Sequence, residues 1–286
     1  MPGGAFPRRM TMPHAQVNGT SLYYEIHGEG EPILFHHGYT GSHDSWEEVV
    51  PHLSGRYRCI LMDCRGAGDS DHPAEGYSIE QYADDVIALA DFLGLERFTY
   101  VGHSMGGVIG YELGLRFPTR LAKLVLVAPA PADGVQAPPE MHDRARALRQ
   151  ARDAETMLRE RLVMAPRRPD PDIFRRAVER ALSVSDGHFE GSWEALVTYR
   201  KGERLREIAV PTLLVAGAAD GLLEANLRDF LRLPNATLHV FSRVGHQIPR
   251  EVPAEFALVL ADFLEHGVVT ARTLQQRLRE LQAAAR

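Results

Sequence analysis

The sequence predicts an α/β fold built on a mostly parallel sheet with helices on both faces. Two observations carry this. Short, nearly continuous apolar runs recur along the chain, as expected of strands buried on both sides. Stretches with apolar residues at helical spacing alternate with those runs, and strand–helix alternation implies parallel neighbours joined by crossovers. The alternation breaks only between about residues 131 and 207.

Ser21–His27 reads as a strand paired with the short segment Ala15–Val17 through Asn18-Gly19, a strong hairpin signal. Pro32–His36 and Tyr57–Met62 are apolar runs of strand length. A helix then begins after Ser78, where Ile79, Tyr82, Ala83, Val86, Leu89, Ala90 and Leu93 share one face. Ser78 with Gln81 has the form of a capping box, and Gly94 is a natural stop. Phe98–Val101 is a strand, followed by a helix from Ser104 to about Phe117, before Pro118. Leu124–Val127, Thr212–Val215 and Thr237–Phe241 complete a set of eight strands, and a helix covers roughly Pro253–Glu265.

Residues 131–207 lack clear strands and are rich in Arg, Ala, Glu and Leu, with Pro138-Pro139 and Pro166 to Pro171 as punctuation. They read as several short helices inserted between two core strands. Their arginines suit either solvated helix faces or an anionic substrate. From Thr270, Leu274, Leu278, Leu281 and Ala285 fall on one helical face, so residues 266–286 are expected to pack on the core or to join a second copy in a homo-oligomer. Residues 1–14 read as a disordered leader. The expected division is therefore a core of 15–130 and 208–265, an insertion of 131–207, and a C-terminal helix.

Composition narrows the function. The chain has 286 residues, 44% of them hydrophobic, enough for one large α/β core with an insertion. Its formal net charge of −6 argues against nucleic acid or an anionic membrane as partner. The two cysteines, Cys59 and Cys64, fall in and just after a strand, which points to buried thiols rather than a disulfide framework or a zinc site. With no secretory signal and no apolar run of membrane-spanning length, the expected location is the cytoplasm.

The chemistry centres on Gly102-His103-Ser104-Met105-Gly106, directly after a strand. A serine hydroxyl becomes a useful nucleophile when a sharp turn exposes it beside a base. By itself the pattern is weak, since glycine and serine frequencies give a chain of this length about a one in ten chance of matching it. A nucleophile also needs a base, an acid to orient that base, and donors for the oxyanion, all beyond the C-terminal ends of strands. Asp220 follows the strand at Thr212–Val215, where a helix N-cap is its alternative role, and Glu224 and Asp229 are rivals further into the next helix. His246 lies in a loop after the last strand, so the order is serine, acid, histidine. His36 and His37 follow an earlier strand, His103 adjoins the serine but points the wrong way, His188 is in the insertion, and His239 is inside a strand. The Met105 N–H sits at a helix start, where unpaired donors and the dipole favour negative charge. Position in the loop His36 to Ser42 makes the Tyr39 N–H the expected second donor, with an ordinary Gly-rich turn as the alternative.

Taken together, His37-Gly38 after a strand, Asp63 to Ser70, Gly102 to Gly107, Asp220 and Gly245-His246 resemble the α/β-hydrolase superfamily. The resemblance covers about residues 15–130 and 208–265, and implies an eight-stranded sheet with a helical cap at the insertion. It makes Asp63 to Ser70 a structural turn beside the site. Relatives that dehalogenate alkanes or open epoxides use an aspartate nucleophile, whereas this chain has Ser104. Carbon–carbon bond hydrolases of the fold carry a more Gly-Pro-rich oxyanion loop and an aromatic residue after the histidine. Here the loop is His37-Gly38-Tyr39-Thr40-Gly41, and Gln247 follows His246. The resemblance therefore implies a serine esterase or lactonase acting on a small apolar substrate with no cofactor or metal. Carbon–carbon hydrolysis, or a biosynthetic cyclase or lyase reaction, is the alternative, and a small-molecule receptor a third. Trp193, Phe189 and Met164 suit either the pocket lining or the cap's own core.

Overall fold

The computed structural model describes residues 13–284. Its strands are β1 (His14–Val17), β2 (Thr20–His27), β3 (Glu31–His36), β4 (Tyr57–Met62), β5 (Phe98–His103), β6 (Leu121–Val127), β7 (Thr212–Gly217) and β8 (Ala236–Phe241). They form one sheet in the order β1-β2-β4-β3-β5-β6-β7-β8. β1 and β2 pair antiparallel, β2 joins β4 antiparallel, and all later neighbours are parallel. The hairpin between β1 and β2 turns on Asn18 (φ 48°) and Gly19 (φ 72°), with Val17 opposite Thr20. Positive φ at both central residues is the geometry that Asn-Gly favours.

The continuous apolar runs exist because alternate residues face different helix layers. Leu34, Ile60, Met62, Tyr100, Leu124, Leu126 and Leu214 point to one side, against α1 (Ile79–Phe92) and α2 (Met105–Arg116). Ile33, Phe35, Cys59, Leu61, Val101, Val125, Val127, Leu213 and Val215 point to the other, against Phe256, Leu260 and Phe263 of α9 (Pro253–His266). α7 (Leu223–Arg232) follows β7, and the short α8 (Ile248–Glu251) precedes α9. Ser78 caps α1 by accepting the Gln81 N–H at 3.1 Å. The capping box is only half formed, because the Gln81 amide donates to Asp85 instead of reaching back. Both cysteines are free and buried, and burial pushes the Cys59 thiol up to about 12.

Residues between β6 and β7 fold as α3 (Pro139–Gln150), α4 (Ala154–Val163), α5 (Pro171–Ser183) and α6 (Asp186–Thr198). Leu158, Ala165, Phe174, Val178 and Leu182 give this insertion a small core of its own. α10 (Ala271–Ala284) leaves Leu274, Leu278 and Leu281 at 52%, 55% and 70% exposure, so its apolar face does not pack on the core of its own chain. Ala285 lies outside the described residues, as do residues 1–12 of the expected leader. The remainder of that expectation is corrected: Pro13 accepts the Tyr24 N–H and His14 opens β1. Among the described residues no helix is long and apolar enough to cross a membrane.

Candidate active site

Ser104 is the single residue between β5 and α2, with φ 54° and ψ −109°. A non-glycine residue held there is strained. The strain persists because the surroundings leave no alternative. A Cβ on Gly102 would collide with the Gly106 carbonyl, and one on Gly106 would meet the His36 oxygen at 2.7 Å. Strand end, helix start and the loop after β3 therefore meet at this turn. The Ser104 N–H donates to Val127 O at 2.9 Å, and its carbonyl accepts the Gly107 and Ala130 N–H groups at 2.9 and 3.1 Å.

The Ser104 hydroxyl lies 2.9 Å from His246 Nε2, and His246 Nδ1 lies 2.8 Å from Asp220 Oδ2. An ionised carboxylate can only accept, so Nδ1 carries the imidazole proton and Nε2 is free to accept from the serine. The Asp220 side chain is 5% exposed and its other oxygen accepts the Leu222 N–H at 3.0 Å. Burial pushes this carboxyl up. The hydrogen bond and charge of His246 and the Leu222 N–H outweigh it, and the group sits below its ordinary value. The rivals lie elsewhere. Asp229 is buried against Ala132 N and Tyr111 OH, and Glu224 pairs with Arg228.

Gly38 lies directly against Ser104, since a Cβ there would be 3.0 Å from Ser104 Cβ. Tyr39, the next residue, lines the same cavity as Ser104. Among the described residues neither the Tyr39 nor the Met105 N–H has a protein acceptor. The loop is held from both sides. Asp63 is fully buried and accepts His43 N–H, His43 Nδ1–H and Asp69 N–H at 2.6, 2.8 and 2.8 Å. The Tyr39 hydroxyl donates to Phe189 O at 2.6 Å, tying the loop to α6. His103 is a contributor that sequence patterns miss. Its Nε2–H donates to His246 O at 2.9 Å, and burial with the neighbouring His246 pushes its ring down to about 3, so it stays neutral. Nothing in the sequence separates it from an incidental neighbour of the serine.

Two cavities meet here. The smaller, about 180 Å³, is lined by Ser104, His246, Gly38 and Tyr39, together with Arg161, Arg180 and Arg250. The larger, about 380 Å³, shares Tyr39, Thr40, Arg161, His246 and Gln247 and adds Leu148, Met157, Met164, Ala181 and Phe189. Phe189 and Met164 thus line the pocket. Trp193 does not, and that expectation is corrected. Its ring stacks on His142 (4.7 Å between centroids, 1° between planes) and packs 5.9 Å from Tyr39, so it buttresses the loop from outside.

Comparison with known proteins agrees with this architecture. The sequence pattern of the alpha/beta hydrolase fold family matches residues 31–249. A protein of Azorhizobium caulinodans named for carbamate hydrolysis is 32% identical over 88% of this chain and 98% of its own. The 2-hydroxy-6-oxononadienedioate/2-hydroxy-6-oxononatrienedioate hydrolase of Paraburkholderia xenovorans is 30% identical over 86% of this chain and 91% of its own. Among solved structures, Est816, described as an N-acyl homoserine lactone degrading enzyme, superposes with a TM-score of 0.76 at 32% identity, covering 88% of this chain and 100% of that one.

Proposed function

This chain belongs to the α/β-hydrolase family, and we propose that it hydrolyses a carboxylic ester or lactone of a small substrate through an acyl-enzyme on Ser104. The observation that carries the reading is the unbroken relay from Asp220 through His246 to Ser104, at 2.8 and 2.9 Å, opening into a cavity lined by Tyr39, whose N–H, like that of Met105, has no protein acceptor among the described residues. His246 takes the hydroxyl proton as Ser104 attacks the carbonyl carbon, and Asp220 holds the imidazole in the accepting tautomer. The Tyr39 and Met105 N–H groups receive the charge that develops on the carbonyl oxygen. His246 then passes its proton to the leaving alkoxide. Water activated by the same imidazole releases the acid and restores the serine. These steps use no metal or organic cofactor. The larger cavity, lined by Leu148, Met157 and Phe189, suits an apolar arm of the substrate.

The test is hydrolysis of p-nitrophenyl acetate and butyrate by the native chain and by Ser104→Ala. The variant should lose roughly 10⁴-fold or more in kcat while keeping its Tm. An unchanged rate would refute the assignment. Carbon–carbon hydrolysis is the second reading, supported by the Paraburkholderia relative named for an oxo-dienedioate. It gains ground if a fluorophosphonate labels Ser104 yet no simple ester turns over.

A further inference from the structure

The small cavity over Ser104 has an unusual charge pattern. Arg161 of α4, Arg180 of α5 and Arg250 of α8 line it, and no carboxylate does. Arg250 Nη2 donates to Asp44 at 3.1 Å and its Nη1 to Gln247 at 3.3 Å, but its buried Nε has no partner. Arg180 divides its charge between Asp44, at 3.5 Å, and Asp69, at 3.0 Å. Arg161 has no hydrogen-bond or ion-pair partner among the described residues. Other arginines of the insertion either meet a carboxylate, as Arg144, Arg146, Arg149 and Arg175 do, or are exposed to solvent, as Arg152, Arg159, Arg167 and Arg168 are.

At ion-pair distance the three guanidinium groups share two carboxylates, Asp44 and Asp69, and Arg161 reaches neither among the described residues. A buried or half-buried charge without a partner is costly, and natural structures pair such groups. Burial and the nearby Arg250 charge pull the Arg161 guanidinium down to about 10, which still leaves it charged at neutral pH. Arg161 also lines both cavities, at the junction where Ser104, His246 and Tyr39 meet the apolar pocket.

We infer that this site takes an ester or lactone carrying a carboxylate, held by Arg161 with Arg180 and Arg250, within a few bonds of the carbonyl that Ser104 attacks. The inference rests on the hydrolase reading and specifies its substrate class. One guanidinium without a direct partner matches a single carboxylate better than a phosphate dianion. Guanidinium and carboxylate also match geometrically as a two-pronged pair. A cavity of about 180 Å³ holds the volume of about six waters, which keeps the carboxylate close to the scissile bond. The apolar remainder of the substrate extends into the larger pocket.

The test compares p-nitrophenyl hydrogen glutarate with p-nitrophenyl valerate, which places the charge on the acyl arm. It also compares 4-(butanoyloxy)benzoate with phenyl butanoate, which places it on the leaving group. In the native chain one charged ester should exceed its neutral partner in kcat/KM by about tenfold to a hundredfold, the worth of a charge-assisted hydrogen bond. In Arg161→Gln that ratio should fall to near one, and Arg161→Lys should restore part of it. Binding of monomethyl glutarate to Ser104→Ala, followed by calorimetry with and without Arg161→Gln, reports on the carboxylate site without turnover. Equal rates for charged and neutral esters on both arms would overturn the inference and leave the hydrolase reading standing. Arg161-dependent binding with no ester turnover would uphold the carboxylate site and overturn the hydrolase reading, and with it the ester as substrate.

Discussion

Replacing Asp220 by Asn isolates what the buried carboxylate does for the imidazole. The substitution is nearly isosteric, so packing around the 5% exposed side chain should survive. The outcome turns on the Leu222 N–H, which donates to Asp220 Oδ1 at 3.0 Å. That donor requires an acceptor, so the asparagine oxygen faces Leu222 and its NH₂ faces His246 Nδ1. Nδ1 must then accept, which moves the imidazole proton to Nε2, 2.9 Å from the Ser104 hydroxyl. A protonated Nε2 cannot take the serine proton. The expected loss in kcat is about 10⁴-fold, close to 5.5 kcal/mol of transition-state stabilisation. Steady-state hydrolysis of a p-nitrophenyl ester from pH 6 to 9, beside a thermal melt of each protein, measures it. A loss under tenfold with an unchanged melt would refute the tautomer argument and reopen the identity of the acid.

Two further outcomes concern stability. Ser104→Gly removes the proposed nucleophile and also relieves a backbone at φ 54°, ψ −109°. Relief of roughly 1–3 kcal/mol, less about 0.5–1 kcal/mol for glycine's unfolded-state entropy, predicts a melt a few degrees above that of Ser104→Ala. A lower melt would mean that the turn stores no strain. The second outcome is acid sensitivity. Burial pushes His36 down to about 4 and His37, His103 and His188 down to about 3. In the unfolded chain these rings titrate near pH 6.5, so below that value the unfolded state binds more protons than the folded one. Stability is therefore full above about pH 6.5 and falls toward pH 4, by about 1.4 kcal/mol per histidine per pH unit. Thermal melts at pH 7.5, 6.5 and 5.5 should show a steep drop over the last interval, whereas a flat profile would contradict burial of neutral rings.

The sheet was legible because strand burial leaves a local trace. Each inner strand alternates between two helix layers and so reads as an unbroken apolar run, and the Asn18-Gly19 turn is set by two backbone angles. Ser104, Asp220 and His246 were legible for a related reason. The turn needs glycines at fixed offsets, and Asp220 and His246 follow strand ends in a set chain order. Those constraints are short-range, so they appear in short stretches of sequence. The Gln81 side chain was misread because Asp85, one turn on, is the centre of a buried network with Arg65 and Asn18 and competes for its amide.

The cap was different. Trp193 and Phe189 lie on the same helix with similar composition around them, yet only Phe189 reaches the pocket, because helix orientation over the sheet decides which face looks inward. The arginines show the same limit more sharply. Whether a guanidinium is solvated, paired or left to meet a ligand depends on which carboxylates lie across from it, and those come from distant segments: Asp44 after β3, Asp69 after β4, Arg250 after β8. The sequence by itself determined the α/β scaffold and the three residues of the relay. Tertiary structure alone decided that Arg161 lines the Ser104 cavity without a partner among the described residues, because charge compensation is a property of space and not of spacing.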